Sequence, residues 1–390
     1  MILPIYLDNH ATTPMDPQVF EAMRPYFLAK FGNASSKNHS FGWEANSAVE
    51  LARKQIAKLI KAEPNEIIFT SGATESINLT LKGIAEAYQF KGKHIISCAI
   101  EHSAVLDTLS YLTKSGFEVT YLPVDQDGFV SISKMQESIR PDTILVSIMA
   151  ANNEIGSIQN IKSIGDICAE GDVLFHTDVA QAIGKIPFDV KENNIDLASF
   201  SAHKIYGPKG VGALFIKKKQ EPIKIVPQML GGGHENGLRS GTLNVPGIVG
   251  FGKAAEIADR LLINENSRIE KLRNKLYQGI VSRLSGIKLN GSMTNRLANN
   301  LNICIAGIKS ESFILELKDI AVSSGAACAS ATLKPSHVLT VIGCTNEEAK
   351  NSIRFGIGRF NSEEEIAYTI KRVVETVEKL RPISPAYTKN

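Results

Sequence analysis

Apolar positions along this chain follow two rhythms that take turns. Val49, Ala52, Ile56, Leu59 and Ile60 fall at helical spacing and predict an amphipathic helix. The run E-I-I-F-T that follows, Glu66 to Thr70, is short, apolar and β-branched, and predicts a strand. Ser71-Gly72 punctuates it, and a second helical pattern opens with Ile77, Leu81, Ile84, Ala85 and Tyr88. Further strands are expected at His94 to Cys98, Glu118 to Leu122, Thr143 to Met149, Val173 to His176, Leu197 to Ser199 and Gly212 to Ile216. This alternation predicts an α/β fold with a mixed, mostly parallel sheet flanked by helices.

From about Asn264 the pattern changes to a long charged helix, short strands and a terminal helix. Ser362 and Glu365 stand at capping-box spacing, and Ile366, Ile370, Val373, Val374 and Val377 mark the buried stripe behind them. A chain of 390 residues is long for one core. We therefore expect a large domain over 15–260 and a smaller α+β domain built from 1–14 and 261–390.

Composition narrows the partners. A hydrophobic content of 43% and a charged content of 21% are those of an ordinary globular protein. A net charge of +3 gives no footing for nucleic acid or an anionic membrane surface. Lys217-Lys218-Lys219 follows a strand and reads as a solvated turn. No apolar run approaches the ~20 residues of a membrane span, and M-I-L-P-I-Y-L-D meets Asp8 without the basic start of a signal peptide. The cysteines, 98, 168, 304, 328 and 344, form no C-x-x-C and are odd in number, which argues against a disulfide framework or a zinc site. Cys98 and Cys304 lie in apolar strands and read as core thiols. A reducing, cytoplasmic compartment is expected.

Two segments carry the chemistry. S-A-H-K-I-Y-G-P-K-G, 201–210, offers Lys204 between phosphate-type ligands, and F-H-T-D-V-A-Q, 175–181, ends an apolar strand on Asp178. A lysine for a Schiff base and an acid for a ring nitrogen are what pyridoxal phosphate (PLP) requires. An ordinary lysine is a poor nucleophile at neutral pH and needs burial or cationic neighbours to form an imine. T-S-G-A-T-E-S joins a strand to a helix, where free amides and the helix dipole suit a phosphate, with Thr74 adding a hydroxyl. Ser201 and His203 flank the lysine and suit the same phosphate. Gln181 and Asn153 follow strand ends and are expected near the ring hydroxyl, Asn153 also near a substrate carboxylate. His102 follows a strand too, and can stack on a ring and move protons. Taken singly, each of these is also a cap or turn residue.

R-S-G-T-L, 239–243, follows a glycine run and suggests a loop that carries Thr242 to a phosphate across a subunit interface. Arg354 sits inside an apolar strand and needs an anion, either a structural partner or a substrate α-carboxylate held bidentately. Arg359 is the weaker candidate for that task. Cys328 lies within Ser323 to Thr332, a run of small residues without apolar anchors, which predicts a mobile tether for a nucleophilic thiol.

Together these motifs resemble the cysteine desulfurases of the IscS/NifS type, class-V aminotransferase-like enzymes of PLP fold type I. The similarity runs from Y-L-D-N-H-A-T-T-P at Tyr6 through S-G-A-T-E-S, N-N-E-I-G, H-K-I-Y-G-P-K-G and R-S-G-T-L to R-F-N-S-E-E-E-I. The resemblance implies PLP held by Lys204, with Asp178 on the ring nitrogen and His102 against the ring. It places Ala73, Thr74, Ser201 and His203 on the phosphate, with Thr242 supplied by the second subunit of a homodimer. Gln181 and Asn153 fall on the ring-hydroxyl side. L-Cysteine would be clamped by Arg354, assisted by Asn153, and its sulfur taken by Cys328, leaving L-alanine and a persulfide. The loop resembles the long version in this family, which implies direct transfer to an iron–sulfur scaffold (IscU/NifU-like) or another acceptor. No resident metal is implied, although Cys328 would be a transient iron–sulfur ligand if a cluster were handed over.

Three departures stand out: G-A-A-C-A-S in the loop, Ala202 in the lysine motif, and an end at Asn390 soon after R-P-I-S-P-A-Y, which leaves the acceptor open. The alternatives are a selenocysteine lyase or small-amino-acid aminotransferase on the same scaffold, and a sulfur-relay platform without turnover. A nucleotide-binding module lacks its Walker or dinucleotide motif.

Overall fold

The alternating strands assemble into one seven-stranded sheet, in a computed structural model that describes residues 3–324 and 335–384. Its strands are β2 (Ile67–Thr70), β3 (His94–Cys98), β4 (Glu118–Leu122), β5 (Thr143–Ser147), β6 (Leu174–Asp178), β7 (Leu197–Ser201) and β8 (Gly212–Ile216). They lie in the order β2-β8-β7-β6-β5-β3-β4. Only β8 runs against its neighbours, so the other six share one direction. Their carboxyl ends gather on one edge, where α/β sheets bind ligands. Alternation along the strands feeds the two faces: Ile67, Phe69, Ala213 and Phe215 join one core, while Ile68 and Leu214 join the other.

The chain reaches this edge through strand-to-helix turns. The helix Ala73–Tyr88 follows β2, and Ser103–Lys114 follows β3. The helix Ser40–Leu59 covers the face opposite Ala73–Tyr88, with Val49, Ala52 and Ile56 in the first core.

A separate core holds much of the second part of the chain, while Leu297, Val338, Leu339 and Ile342 pack with the first. An antiparallel sheet in the order β12-β13-β10-β9 is built from β9 (Ile287–Leu289), β10 (Asn300–Ile305), β12 (Ser323–Ser324) and β13 (Ser352–Gly356). The first residues come here as β1 (Ile5–Tyr6), parallel to β11 (Ile320–Ala321), and Ile5 and Leu7 are buried with Leu301, Ile303, Phe355 and Val373.

The long helix differs from the expected one. It begins at Val245, not near 264, and runs unbroken to Val281, with Asn244 as N-cap and Pro246 in its first turn. Its first half, including Ile248, Phe251 and Ala255, packs in the first core, and Ile269, Leu272 and Leu276 pack in the second. The charged composition after 264 marks where the helix leaves one core, not where it starts. Gly252 permits its close approach to Ser40–Leu59, since a Cβ there would stand 2.5 Å from the Ala52 Cα.

The terminal helix Glu363–Leu380 carries the expected capping box, Ser362 Oγ accepting from the Glu365 amide at 3.2 Å. Its buried stripe is Ile366, Ile370, Val373 and Val377, with Thr376 buried and Val374 at the margin. Cys98, Cys168, Cys304 and Cys344 are free and buried. Among the described residues no helix is long and apolar enough to cross a membrane, and no acid, histidine and cysteine group could hold a metal ion.

Candidate active site

At the gathered strand ends lies a cavity of about 650 Å³, a size suited to a small molecule. Ten of the sequence-predicted residues line it: Ala73, Thr74, His102, Asn153, Asp178, Gln181, Ser201, His203, Lys204 and Arg354. Nine of them come from the ends of β2, β3, β5, β6 and β7 on one sheet edge, and Arg354 comes from β13. Thr242 does not line the cavity of its own chain and is exposed. Its loop is tied down nearby, because Arg239 pairs with Glu75 at 2.9 Å in the first turn of Ala73–Tyr88. Cys328, together with 325–334, lies outside the described residues.

One end of the cavity is built for an anion. The helix Ala73–Tyr88 starts on Gly72 with no side-chain cap, so its first amides are left to a ligand. Gly72 and Gly212 pass so closely that a Cβ on Gly212 would stand 2.6 Å from the Gly72 Cα. Ser201 and His203 complete this end. His203 Nδ1 meets Thr12 Oγ1 at 3.0 Å, and burial, then Lys204, Lys209 and Lys185, push its pKa down to about 4.

The other end presents a carboxylate. Asp178 closes β6, is 6% exposed, and accepts from the Ala180 amide at 2.9 Å. Burial raises its pKa, opposed by His102, the Ala180 amide and Lys204. A cationic ring nitrogen is a partner that would oppose that rise and favour the ionised acid. Between the ends, the Lys204 ammonium donates to the carbonyls of His10 and Ala11 at 2.5 and 2.8 Å. Donors at one end, a buried acid at the other and a lysine between them fit PLP.

His102 is both a cap and a wall. Its Nδ1 accepts from the Ala104 amide at 3.1 Å, which leaves the proton on Nε2. Arg354 is 2% exposed, with Nη1 donating to the Asn153 carbonyl at 3.0 Å and Nη2 to Asp8 at 2.9 Å. Its Nε is buried without a partner among the described residues. Both sequence readings of Arg354 are therefore partly realised: it has a structural partner and spare donor capacity. Arg359 has none to spare. It pairs with Asp16 and Glu265 at 2.9 and 2.6 Å, stacks on Tyr206, and does not line the cavity.

Sequence reasoning missed several wall residues. His10 and Thr12 come from the N-terminal segment, whose N-H-A-T-T-P carries no local sign of chemistry. Glu154 lines the cavity, and burial pushes its pKa up to about 7 while Ser336 Oγ donates to it at 2.5 Å. Glu101, just before His102 but outside the cavity lining, accepts from the Met149 amide at 2.6 Å, and burial drives its pKa well up. The only signal for either acid was its place after a strand end, beside a more conspicuous neighbour.

The aminotransferase class-V family model matches residues 5–368. The chain is 54% identical to a protein named cysteine desulfurase IscS from Anaeromyxobacter dehalogenans, over 99% of this chain and 96% of that one. It is also 54% identical to the protein of that name from Rickettsia bellii, over 99% and 94%. Among solved structures, a NifS-like protein superposes with a TM-score of 0.90 at 41% identity, covering 97% of this chain and 100% of the other. SspA in complex with cysteine gives 0.81 at 36%, covering 92% and 100%. A PLP-compatible cavity, a near full-length family match and relatives at this identity converge: the chain belongs to the class-V aminotransferases and, within them, to the PLP-dependent cysteine desulfurases of the IscS/NifS type.

Proposed function

We propose that this enzyme converts L-cysteine to L-alanine and retains the sulfur as a persulfide on Cys328. The observation that carries the reading is the cavity itself, where Lys204, Asp178 and an uncapped helix start stand around one space with the buried Arg354 beside them. Ala73, Thr74, Ser201 and His203 hold the phosphate, Asp178 holds the ring nitrogen, and Gln181 with Asn153 addresses the ring hydroxyl. PLP, when bound, supplies an electron sink for charge left on a substrate carbon.

The chain's own groups do the rest. Arg354, with Asn153 beside it, binds the substrate carboxylate. Lys204 and His102 stand where protons must leave nitrogen and reach carbon. The Cys328 thiolate attacks the substrate sulfur, an S–S bond forms and the C–S bond breaks. The electron pair stays with the substrate carbon, which takes a proton and leaves as alanine. The balance is cysteine plus enzyme thiol to alanine plus enzyme persulfide. An aminotransferase would have no use for Cys328, and the relatives' names do not favour that reading or a selenocysteine lyase.

The large PLP-binding domain is 15–260, and 1–14 with 261–390 forms the smaller one. The two distinct cores meeting along Val245–Val281 support this division. The enzyme acts as a cytoplasmic homodimer in which Thr242 reaches the partner's phosphate site. Exposed apolar side chains crowd the segment 20–51, with Phe27, Leu28, Phe31 and Trp43 at 57%, 80%, 67% and 58% exposure, as an interface requires. An iron–sulfur scaffold protein or another acceptor takes the persulfide sulfur.

The test is L-alanine formation from L-cysteine by PLP-loaded protein with reductant, wild type against Cys328→Ala. Alanine from the first and almost none from the second supports the reading. Equal rates from both would overturn it. A fully active monomer on a sizing column would overturn the dimer.

A further inference from the structure

Arg296, Asn300 and Lys185, behind the cavity wall, and His10 and Gln181, within it, form one hydrogen-bonded chain whose direction is fixed at its ends. Arg296 is 7% exposed, makes no ion pair among the described residues, and has only donors to offer. It donates to the carbonyls of Ser292 and Asn290, and through Nη1 to Asn300 Oδ1 at 2.8 Å. That contact orients the Asn300 amide. Its Nδ2 then donates to the Glu154 carbonyl at 3.0 Å and faces His10 Nε2 at 3.2 Å. Nε2 is left to accept, so the His10 proton sits on Nδ1 and is donated to Gln181 Oε1 at 3.0 Å.

Gln181 is fixed from its other side as well. Lys185 Nζ donates to the same Oε1 at 3.0 Å, and Gln181 Nε2 donates to the His10 carbonyl at 3.0 Å. Both lone pairs of Oε1 are filled. One N–H of Gln181 remains, on a side chain that lines the cavity. The ionisable groups acting on His10 are Lys185, Arg354 and Lys204, and with burial they hold it neutral.

We infer that Arg296, Asn300 and His10 are positioning residues that present Gln181 to the cavity as a hydrogen-bond donor and never as an acceptor. The inference rests on the reading that Gln181 addresses the ring oxygen of PLP. A donor there suits an ionised oxygen and competes with the neighbouring imine proton for its charge, lowering the pH at which that proton is lost. It also gives a purpose to a guanidinium buried without a carboxylate, which orients two amides and one imidazole.

Nitrogen-15 histidine NMR of the PLP-loaded protein reads the tautomer without reference to activity. The signal missing from His10→Leu should show a neutral ring protonated at Nδ1, unchanged between about pH 6 and about pH 8.5. Asn300→Asp keeps the shape but puts an acceptor against Nε2, and should turn His10 into its charged form over that range. The pH midpoint of the cofactor's visible absorption band gives a second readout. Gln181→Leu should raise it, and His10→Leu should raise it part of the way, by about three- to tenfold in proton affinity. A wild-type His10 protonated at Nε2, or titrating in that range, overturns the relay. If Gln181→Leu raises the midpoint and His10→Leu does not, the positioning claim falls while the cofactor reading stands. If Gln181→Leu leaves the midpoint where it was, the placement of Gln181 against the ring oxygen is what fails.

Discussion

Arg354→Met removes a buried guanidinium from the cavity wall and leaves the shape of an unbranched side chain. In the free enzyme Nη2 is held by Asp8 and Nη1 by the Asn153 carbonyl, while Nε is unpartnered among the described residues. A substrate carboxylate therefore gains one new donor and a share of a second. Charge-assisted hydrogen bonds contribute ~1.5–3 kcal/mol each, so the loss should be about 2–4 kcal/mol. At about 1.4 kcal/mol per decade, kcat/KM should fall roughly 30- to 1,000-fold. The fall should appear mainly in KM, because the carboxylate is bound before and during bond cleavage alike. Arg354→Lys keeps the charge but not the fork, and should regain about one decade. The assay is alanine formation against L-cysteine concentration, with the cofactor band recorded to show that PLP is still bound. A kcat/KM within threefold of wild type, with the band intact, would refute the assignment of Arg354 to the substrate carboxylate.

Other consequences are direct. Asp178→Asn removes the charge opposite the ring nitrogen and should lower kcat roughly 10- to 150-fold, the scale of one lost charged hydrogen bond, with PLP still detectable by absorbance. Gly212→Ala places a Cβ 2.6 Å from the Gly72 Cα, so it should widen the anion turn and weaken PLP binding, measured by dialysis against free cofactor. Glu154 has a pKa raised from 4.5 to about 7 by burial, so its stabilising neutral form is fully present below about pH 4.5 and lost as pH rises through about 7. Glu154→Gln should therefore raise the melting temperature at pH 8 more than at pH 5, with ~3 kcal/mol as the ceiling; an equal effect at both pH values would contradict the buried acid.

Most of the seven-stranded sheet was legible because its strands are short, apolar and separated by turn residues. That made their ends visible, and the chemistry of this fold sits at strand ends. Lys204, Asp178, His102 and Asn153 were found that way. The start of the long helix is masked in the sequence because its first half is apolar and glycine-rich, as in V-P-G-I-V-G-F-G, and its start signal, Asn244 with Pro246, stands well ahead of the charged stretch. His10, Thr12 and Asn300 were invisible for another reason. His10 and Thr12 reach the cavity, and Asn300 backs His10, only through pairings distant in sequence, which no local pattern encodes. Glu101 and Glu154 are set apart by their burial, which their local sequence does not signal.

The most direct test of sulfur capture is a single turnover with sulfur-labelled L-cysteine on PLP-loaded enzyme, followed by peptide mapping without reductant. Label released by reductant from the peptide that contains Cys328, in equal amount to the alanine formed, is the result this account predicts. Alanine formed with the label free in solution, or on any of Cys98, Cys168, Cys304 or Cys344, would contradict it.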